Sequence, residues 1–325
     1  MSMAQTSETP EAPEIELRGL RTVRGNFEVL REIDLSLAKG ETLFIMGSAG
    51  SGKSVLVKTA AGIALPTAGE VLYRGKSFAR MGEREEAAFR KSSGFVFQEA
   101  ALWANQTLYD NLALPARLHR PDWGKAELDR AVRRAAELVG YDQDLYVRPV
   151  ELSLGERKLI GLARAFVLDP ELLFMDDPTS DLDEGSASRV IDLVAALKER
   201  GRSILVTSAL SDFASRCADR IAVLRGGKLA AVGAYDEAVA WTDPALRAVT
   251  GRLKPRIRAE KPAWADSLAG AWASALAEDF VPEESNAEPW KKSEDAERPI
   301  GSLGDIINDV TDPDEEPDSG KKDEP

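Results

Sequence analysis

Two stretches of the 325-residue chain place residue types that do chemistry at spacings that allow it. The first is GSAGSGKS, Gly47 to Ser54, which fits the spacing G-x-x-x-x-G-K-[ST]. Gly47, Gly50 and Gly52, with Ser48, Ala49 and Ser51 between them, let the backbone curl. Successive N–H groups, continued by those of Lys53, Ser54 and Val55 at a helix start, then face a polyphosphate. Lys53 would neutralise β and γ oxygens, and the Ser54 hydroxyl would ligate Mg2+. The second stretch is LLFMDDPTSDLD, Leu172 to Asp183, with Asp176 and Asp177 adjacent at the end of an apolar run and before Pro178. A carboxylate that ends a buried strand beside a phosphate loop is an oxygen ligand for Mg2+, which is the role expected of Asp176. A mere turn cap before Pro178 would leave Ser54 without its metal partner.

These loops need strands and helices to hold them. IELRGLRTV and FEVLREIDLSL alternate apolar and polar residues as half-buried strands do, with order beginning near Ile15 after a polar, proline-bearing start expected to be disordered over 1–13. KGETLFIMG, GEVLYRG, GFVFQ, ELLFMD and SILVTS read as strands, and RIAVLRGGKLAAVG reads as a hairpin turning at Gly226-Gly227. SVLVKTAAGI, GERKLIGLARAFVL and EGSASRVIDLVAALKERG have helical spacing. Residues 107–140 read as mostly helical, punctuated by Pro115 and Pro121. Strands alternating with helices predict an α/β fold around a largely parallel sheet.

Composition narrows the function. Cys217 and His119 are the single cysteine and the single histidine, which excludes an intrachain disulfide and a His/Cys zinc cluster. The net charge of -13 is unevenly spread: 38 acids face 37 bases over residues 1–277, and 17 face 5 from 278 onward. A near-neutral body without a basic stripe gives little reason to expect nucleic acid as a partner. No window approaches the ~18 apolar residues of a membrane span, and the start lacks a signal peptide, so a cytosolic product is expected. Beyond about residue 251 an acidic extension is expected to be largely disordered, except for an amphipathic helix over 264–281. There Trp264, Leu268, Trp272, Leu276 and Phe280 recur every four residues. That helix would pack on its own domain or on another subunit.

In order along the chain, GSAGSGKS, Gln98 in FVFQ, LSLGE (Leu152 to Glu156), LLFMDD and SDLD resemble the Walker A, Q-loop, signature, Walker B and D-loop motifs of an ATP-binding cassette ATPase. The resemblance covers about residues 14–250. It implies a P-loop NTPase cassette with a RecA-like core, an antiparallel β subdomain and an α-helical subdomain over about 100–168, followed by the C-terminal extension. It implies ATP and Mg2+ as cofactors, with Gln98 joining Ser54 and Asp176 at the metal. It also implies closure of two cassettes, identical or paralogous, so that Ser153, Gly155 and Glu156 of one meet nucleotide held by the other. VRGNFEVLREIDLSL and FVFQEAALWANQTLYDNLALPARLH look like the ATPase subunit of Mla-type, Mce-associated phospholipid transporters. That implies a membrane permease docked near Ala100–Asn111, an Mce-domain lipid-binding partner, and a peripheral place on the cytoplasmic face of the inner membrane.

Four departures bear on turnover. Asp177 stands where the family carries the glutamate that polarises the attacking water, and Ser208, in ILVTSALSDFA, stands where it carries a histidine. With Gln98, these are the expected catalytic residues. Leu154 and Glu156 replace the usual glycine and glutamine of the signature, while Ser153 and Gly155 are kept. Where the family stacks adenine on an aromatic, Arg24 and Phe27 flank Gly25, and either can stack. Nucleotide binding is therefore expected, with slow hydrolysis. The alternative is a degenerate cassette that binds ATP as a structural or regulatory subunit without turnover.

Overall fold

A computed structural model describes residues 12–256. The expectations for the first eleven residues and for the extension from 257, including the helix at 264–281, lie outside the described residues. β1 (Ile15–Arg24) and β2 (Phe27–Leu37) form a hairpin, after which β3 (Thr42–Met46) leads through the glycine loop into α1 (Lys53–Ala60). β4 (Ala68–Tyr73) and the two-residue β5 (Lys76–Ser77) follow, then α2 (Glu83–Ser92) and β6 (Ser93–Val96). Three helices come next: α3 (Leu108–His119), α4 (Lys125–Leu138) and α5 (Leu154–Phe166). β7 (Leu172–Asp176), α6 (Glu184–Glu199), β8 (Ser203–Thr207) and α7 (Ser211–Cys217) lead to the hairpin of β9 (Arg220–Arg225) and β10 (Lys228–Ala234).

Among the described residues the strands make two sheets. One, of order β2-β1-β4-β5, is antiparallel, and the other has the order β10-β9-β3-β8-β7-β6. In the second, every neighbouring pair from β9 to β6 is parallel and β10 alone runs against its neighbour. TLFIM and LLFMD are buried throughout, and apolar but for Thr42 and Asp176, because β3 and β7 are covered on both faces. Leu43, Ile45, Leu172 and Phe174 point toward α1 and the antiparallel sheet, while Phe44, Met46, Leu173 and Met175 join the core that includes α3, α5 and α6.

Two expectations need correction. Pro115 lies inside α3 and does not end it. The cost of about 3 kcal/mol for an interior proline is outweighed by burial of Leu108, Leu112, Ala113 and Ala116 on the core side of the same helix. Asn111, the expected end of the permease contact, is 3% exposed. Its side chain accepts from Trp103 N and donates to the carbonyls of Trp103 and Thr107, so it holds the preceding loop together. The sequence reading also passes over α2, α7 and the short helices that follow β10, Tyr235–Ala240 and Pro244–Thr250. α2 has one buried residue, Phe89, so its apolar period is too sparse to register.

Candidate functional site

The C-terminal ends of the parallel strands converge, which is where open α/β sheets bind ligands. β3 delivers the glycine loop, β6 is followed by Gln98, β7 ends at Asp176 and β8 is followed by Ser208. The loop is shaped by contact as much as by flexibility. A Cβ on Gly47 would lie 2.4 Å from the Leu224 carbonyl oxygen and 2.6 Å from Ser51 Oγ. Gly52, at φ 103, sits at the N-cap of α1, where a Cβ would come within 3.0 Å of the Val29 carbonyl oxygen. This brings the loop against β2, two residues from Phe27. The first N–H groups of α1 have no partners within the helix and are free for phosphate oxygens. Lys53 Nζ sits at the loop mouth, donating to the Gly47 and Ser48 carbonyls at 2.8 and 2.9 Å. Burial lowers its pKa, while the charges of Asp177 and Asp176 pull it back up.

Asp176 is 1% exposed, and register places it opposite Thr207 on β8. Ser54 Oγ donates to Asp176 Oδ1 at 2.9 Å and Thr207 Oγ1 donates to the same oxygen at 3.0 Å. The other oxygen, Oδ2, is buried without a hydrogen bond, with Lys58 Nζ 4.0 Å away. A hydroxyl and an unsatisfied buried carboxylate oxygen side by side are hard-oxygen ligands that fit Mg2+. Thr207 also fixes the next residue, because Asp177 N donates to its carbonyl at 3.1 Å and to its Oγ1 at 2.9 Å. Asp177 takes a left-handed φ of 47, a conformation that aspartate tolerates better than most residues. Burial pushes its carboxyl pKa up, opposed by the ammonium of Lys158 and reinforced by Asp176.

Neither Thr207 nor Lys158 is singled out by sequence reasoning. The only signal for Thr207 is its place directly before Ser208, and Lys158 sits on a helix whose apolar period hides it. Thr207→Val should lower thermal stability by about 1 kcal/mol, because it removes the hydroxyl bond to Asp176 and one of the two acceptors of Asp177 N, which keeps the residue 207 carbonyl. Thr207→Ser should restore it, which thermal unfolding of both variants checks.

The remaining site residues are distributed around this centre. Gln98 is exposed, and its carbonyl accepts from Lys158 Nζ at 2.7 Å. Ser208 is 2% exposed and its Oγ accepts from Leu210 N, so it offers little surface to a phosphate. Arg24 and Phe27 are cross-strand partners at the β1–β2 turn and project to one face, with Phe27 79% exposed. Ser153 caps α5 in a reciprocal box in which its Oγ donates to Glu156 Oε2 at 2.7 Å and accepts from Glu156 N at 3.2 Å. The Ser153 hydroxyl and the Ser153 N–H, which also donates to Oε2 at 2.8 Å, hold the Glu156 carboxyl below its ordinary value. Leu154 beside it is 65% exposed. Gly155 packs against the D-loop, where a Cβ would lie 3.2 Å from the Asp181 carbonyl oxygen.

Comparison with known proteins agrees with this fold. The family model described as "ABC transporter" matches residues 30–180. The methionine import ATP-binding protein MetN of Mesorhizobium japonicum is 31% identical over 263 residues, covering 78% of this chain and 70% of that one. An uncharacterized ABC transporter ATP-binding protein of Methanocaldococcus jannaschii is 35% identical over 201 residues, covering 62% of this chain and 88% of that one. Among solved structures, the dimeric bacterial ABC transporter cassette MJ0796 superposes with a TM-score of 0.64 at 25% identity, covering 68% of this chain and 98% of that chain. No helix among the described residues is long and apolar enough to cross a membrane. On these likenesses of sequence and fold, the chain belongs to the ABC transporter family, as the ATP-binding cassette of a transporter complex.

Proposed function

We propose that the chain binds Mg-ATP between the glycine loop and Asp176, hydrolyses it slowly, and uses closure against a second cassette, identical or paralogous, to work a phospholipid permease. The observation that carries the nucleotide site is the Ser54–Asp176 contact beside the orphaned Asp176 Oδ2. Bound there, Mg2+ would neutralise the nucleotide's phosphate oxygens. Lys53 and the first N–H groups of α1 hold the phosphates, Gln98 and Asp177 orient the attacking water, and Arg24 with Phe27 supports the base. Ser153 and Gly155, with Glu156 fixing the cap, present the start of α5 to the nucleotide of the opposite cassette. Ser208 contributes at most a hydrogen bond. The second reading, a cassette that binds without turnover, is favoured by Asp177 and by the absence of any histidine besides His119. In either reading the cassette unit spans about 14–250 and the acidic extension follows it.

The permease contact we assign is the loop from Ala100 to Gln106, with Trp103 54% exposed, rather than a stretch reaching the buried Asn111. Arg164 donates to the Ala100 and Ala101 carbonyls and also lines a pocket of about 360 Å³ with Ile63, Arg90, Phe95, Pro115 and His119. Two guanidinium groups, Arg90 and Arg164, beside an apolar hollow suit an acidic, apolar segment of a permease on the cytoplasmic face of the inner membrane. The phospholipid cargo and an Mce-domain partner are supported by the segments around β2 and after Gln98. Methionine is the competing cargo, favoured by the names of relatives. Purifying the tagged chain with its native partners decides between them. Phosphate release that rises with phospholipid vesicles and ignores methionine supports the lipid reading, and the reverse overturns it.

The base site makes its own prediction. Phe27→Ala should weaken Mg-ATP binding by about tenfold, since stacking on a base is worth roughly 1–3 kcal/mol. Titration of a fluorescent ATP analogue checks this, with Arg24→Ala alongside.

A further inference from the structure

Lys158 is a buried cation, 2% exposed, and it is not one of the nucleotide or metal ligands. Its Nζ donates to the Phe97 carbonyl at 3.0 Å, the Gln98 carbonyl at 2.7 Å and Ser180 Oγ at 3.2 Å, which uses all three of its N–H bonds. Ser180 is in turn bonded to Asp177, through its N and its Oγ to the Asp177 carbonyl at 3.2 and 3.0 Å. One side chain therefore ties together the segment after β6, the segment after β7, and the helix whose N-cap is Ser153. Burial lowers its pKa, against the charges of Asp177, Asp181 and Asp176.

The attachment continues along the same face of α5. Three residues on, Gly161 leaves room for Ala100, whose carbonyl oxygen a Cβ would meet at 3.0 Å. Three further on, Arg164 Nη1 donates to the Ala101 carbonyl at 2.7 Å and Nη2 to the Ala100 carbonyl at 3.0 Å. Residues 158, 161 and 164 recur at the spacing that shares a helix face, and they follow the chain from 97 to 101. The hydrogen bonds of Arg164 and the close approach at Gly161 are made to Ala100 and Ala101, so Lys158 is the member of the row that also reaches Ser180.

We propose that Lys158 is a positioning residue that couples the Mg-ATP site of this cassette to the Ser153 end of its own α5. A shift of Gln98 or Asp177 on nucleotide binding is carried through their backbone carbonyls to α5, and so to the surface offered to the second cassette. This rests on the nucleotide reading above, and the experiment separates the two. Hydrogen exchange of the full-length chain is followed with and without Mg-ATP, reading peptides over 47–58 and over 155–164.

In the parent, both regions should slow by threefold or more with Mg-ATP. Lys158→Met should keep the response at 47–58, and an affinity within threefold of the parent for a fluorescent ATP analogue, but lose the response at 155–164. Lys158→Gln, which keeps two donors, should recover part of it. Ser180→Ala, which removes one acceptor of Lys158 and the hydroxyl bond to the Asp177 carbonyl, should weaken the 155–164 response at a small cost in melting temperature while the 47–58 response stays. A 155–164 response in Lys158→Met equal to the parent's, or a parent in which only 47–58 responds, overturns the coupling. A variant that loses binding and both responses together marks a structural role only and overturns it as well. A parent in which 47–58 does not respond overturns the nucleotide reading instead.

Discussion

Asp177→Glu should raise phosphate release by the assembled complex by about 10- to 100-fold, while Asp177→Asn should bring it to background. The added methylene moves the carboxylate by roughly an ångström toward the water it must polarise, and misplacement on that scale costs on the order of 100-fold in rate. General-base assistance as a whole is worth about 10² to 10⁴, which bounds the gain. The backbone works against the exchange. Asp177 sits at φ 47, where aspartate is at ease and glutamate less so. The glutamate variant should therefore melt slightly lower while turning over faster, and that pair of opposite signs is the signature to look for. Ser208→His should not substitute for it. Ser208 is 2% exposed, so an imidazole there overfills the space, at a cost of about 1–3 kcal/mol. If steady-state phosphate release by the parent equals that of Asp177→Asn, the chain does not drive transport by its own turnover. The binding-only cassette then stands.

What could be read in advance divides along physical lines. The strands of the central sheet are legible because burial on both faces makes them short apolar runs, as in LFIM and LLFM. The glycine loop is legible because its spacing is dictated by the phosphates it faces. Lys158 and Thr207 are not legible, because their roles depend on which backbone groups the fold brings opposite them. The register of β7 against β8 alone decides that Thr207 meets Asp176. Pro115 misleads because local propensity argues for a break that tertiary burial overrides. Asn111 misleads because the resemblance carries over a whole segment after Gln98 as a contact, whereas the Asn111 amide is spent on the Trp103–Thr107 loop.

Asp176→Asn should abolish the Mg2+ dependence of ATP binding while leaving the fold as stable as the parent or more so. Asp176 is a carboxylate at 1% exposure with one oxygen unpaired, and its nearest cation, Lys58 Nζ, is 4.0 Å from that oxygen. Burying a charge with so little compensation is destabilising, and removing it by an isosteric amide should add stability of about 1–2 kcal/mol. The amide oxygen can still accept from Ser54 and Thr207, so those two hydroxyls keep their partner. The loss falls on the cation, because a neutral amide is a far poorer ligand for Mg2+ than a carboxylate. ATP affinity measured with Mg2+ should drop by at least about tenfold, equivalent to 1.4 kcal/mol, toward the value measured with a chelator present. Asp176→Ala should instead lose stability, since it leaves both hydroxyls without their acceptor. A residue kept only for packing or hydrogen bonding would be harmed by Asp176→Ala, while its Asp176→Asn variant would bind Mg-ATP like the parent. Calorimetric melts and nucleotide titrations of the two variants therefore distinguish a metal ligand from a structural aspartate, and an asparagine variant that binds Mg-ATP like the parent would remove Asp176 from the metal site.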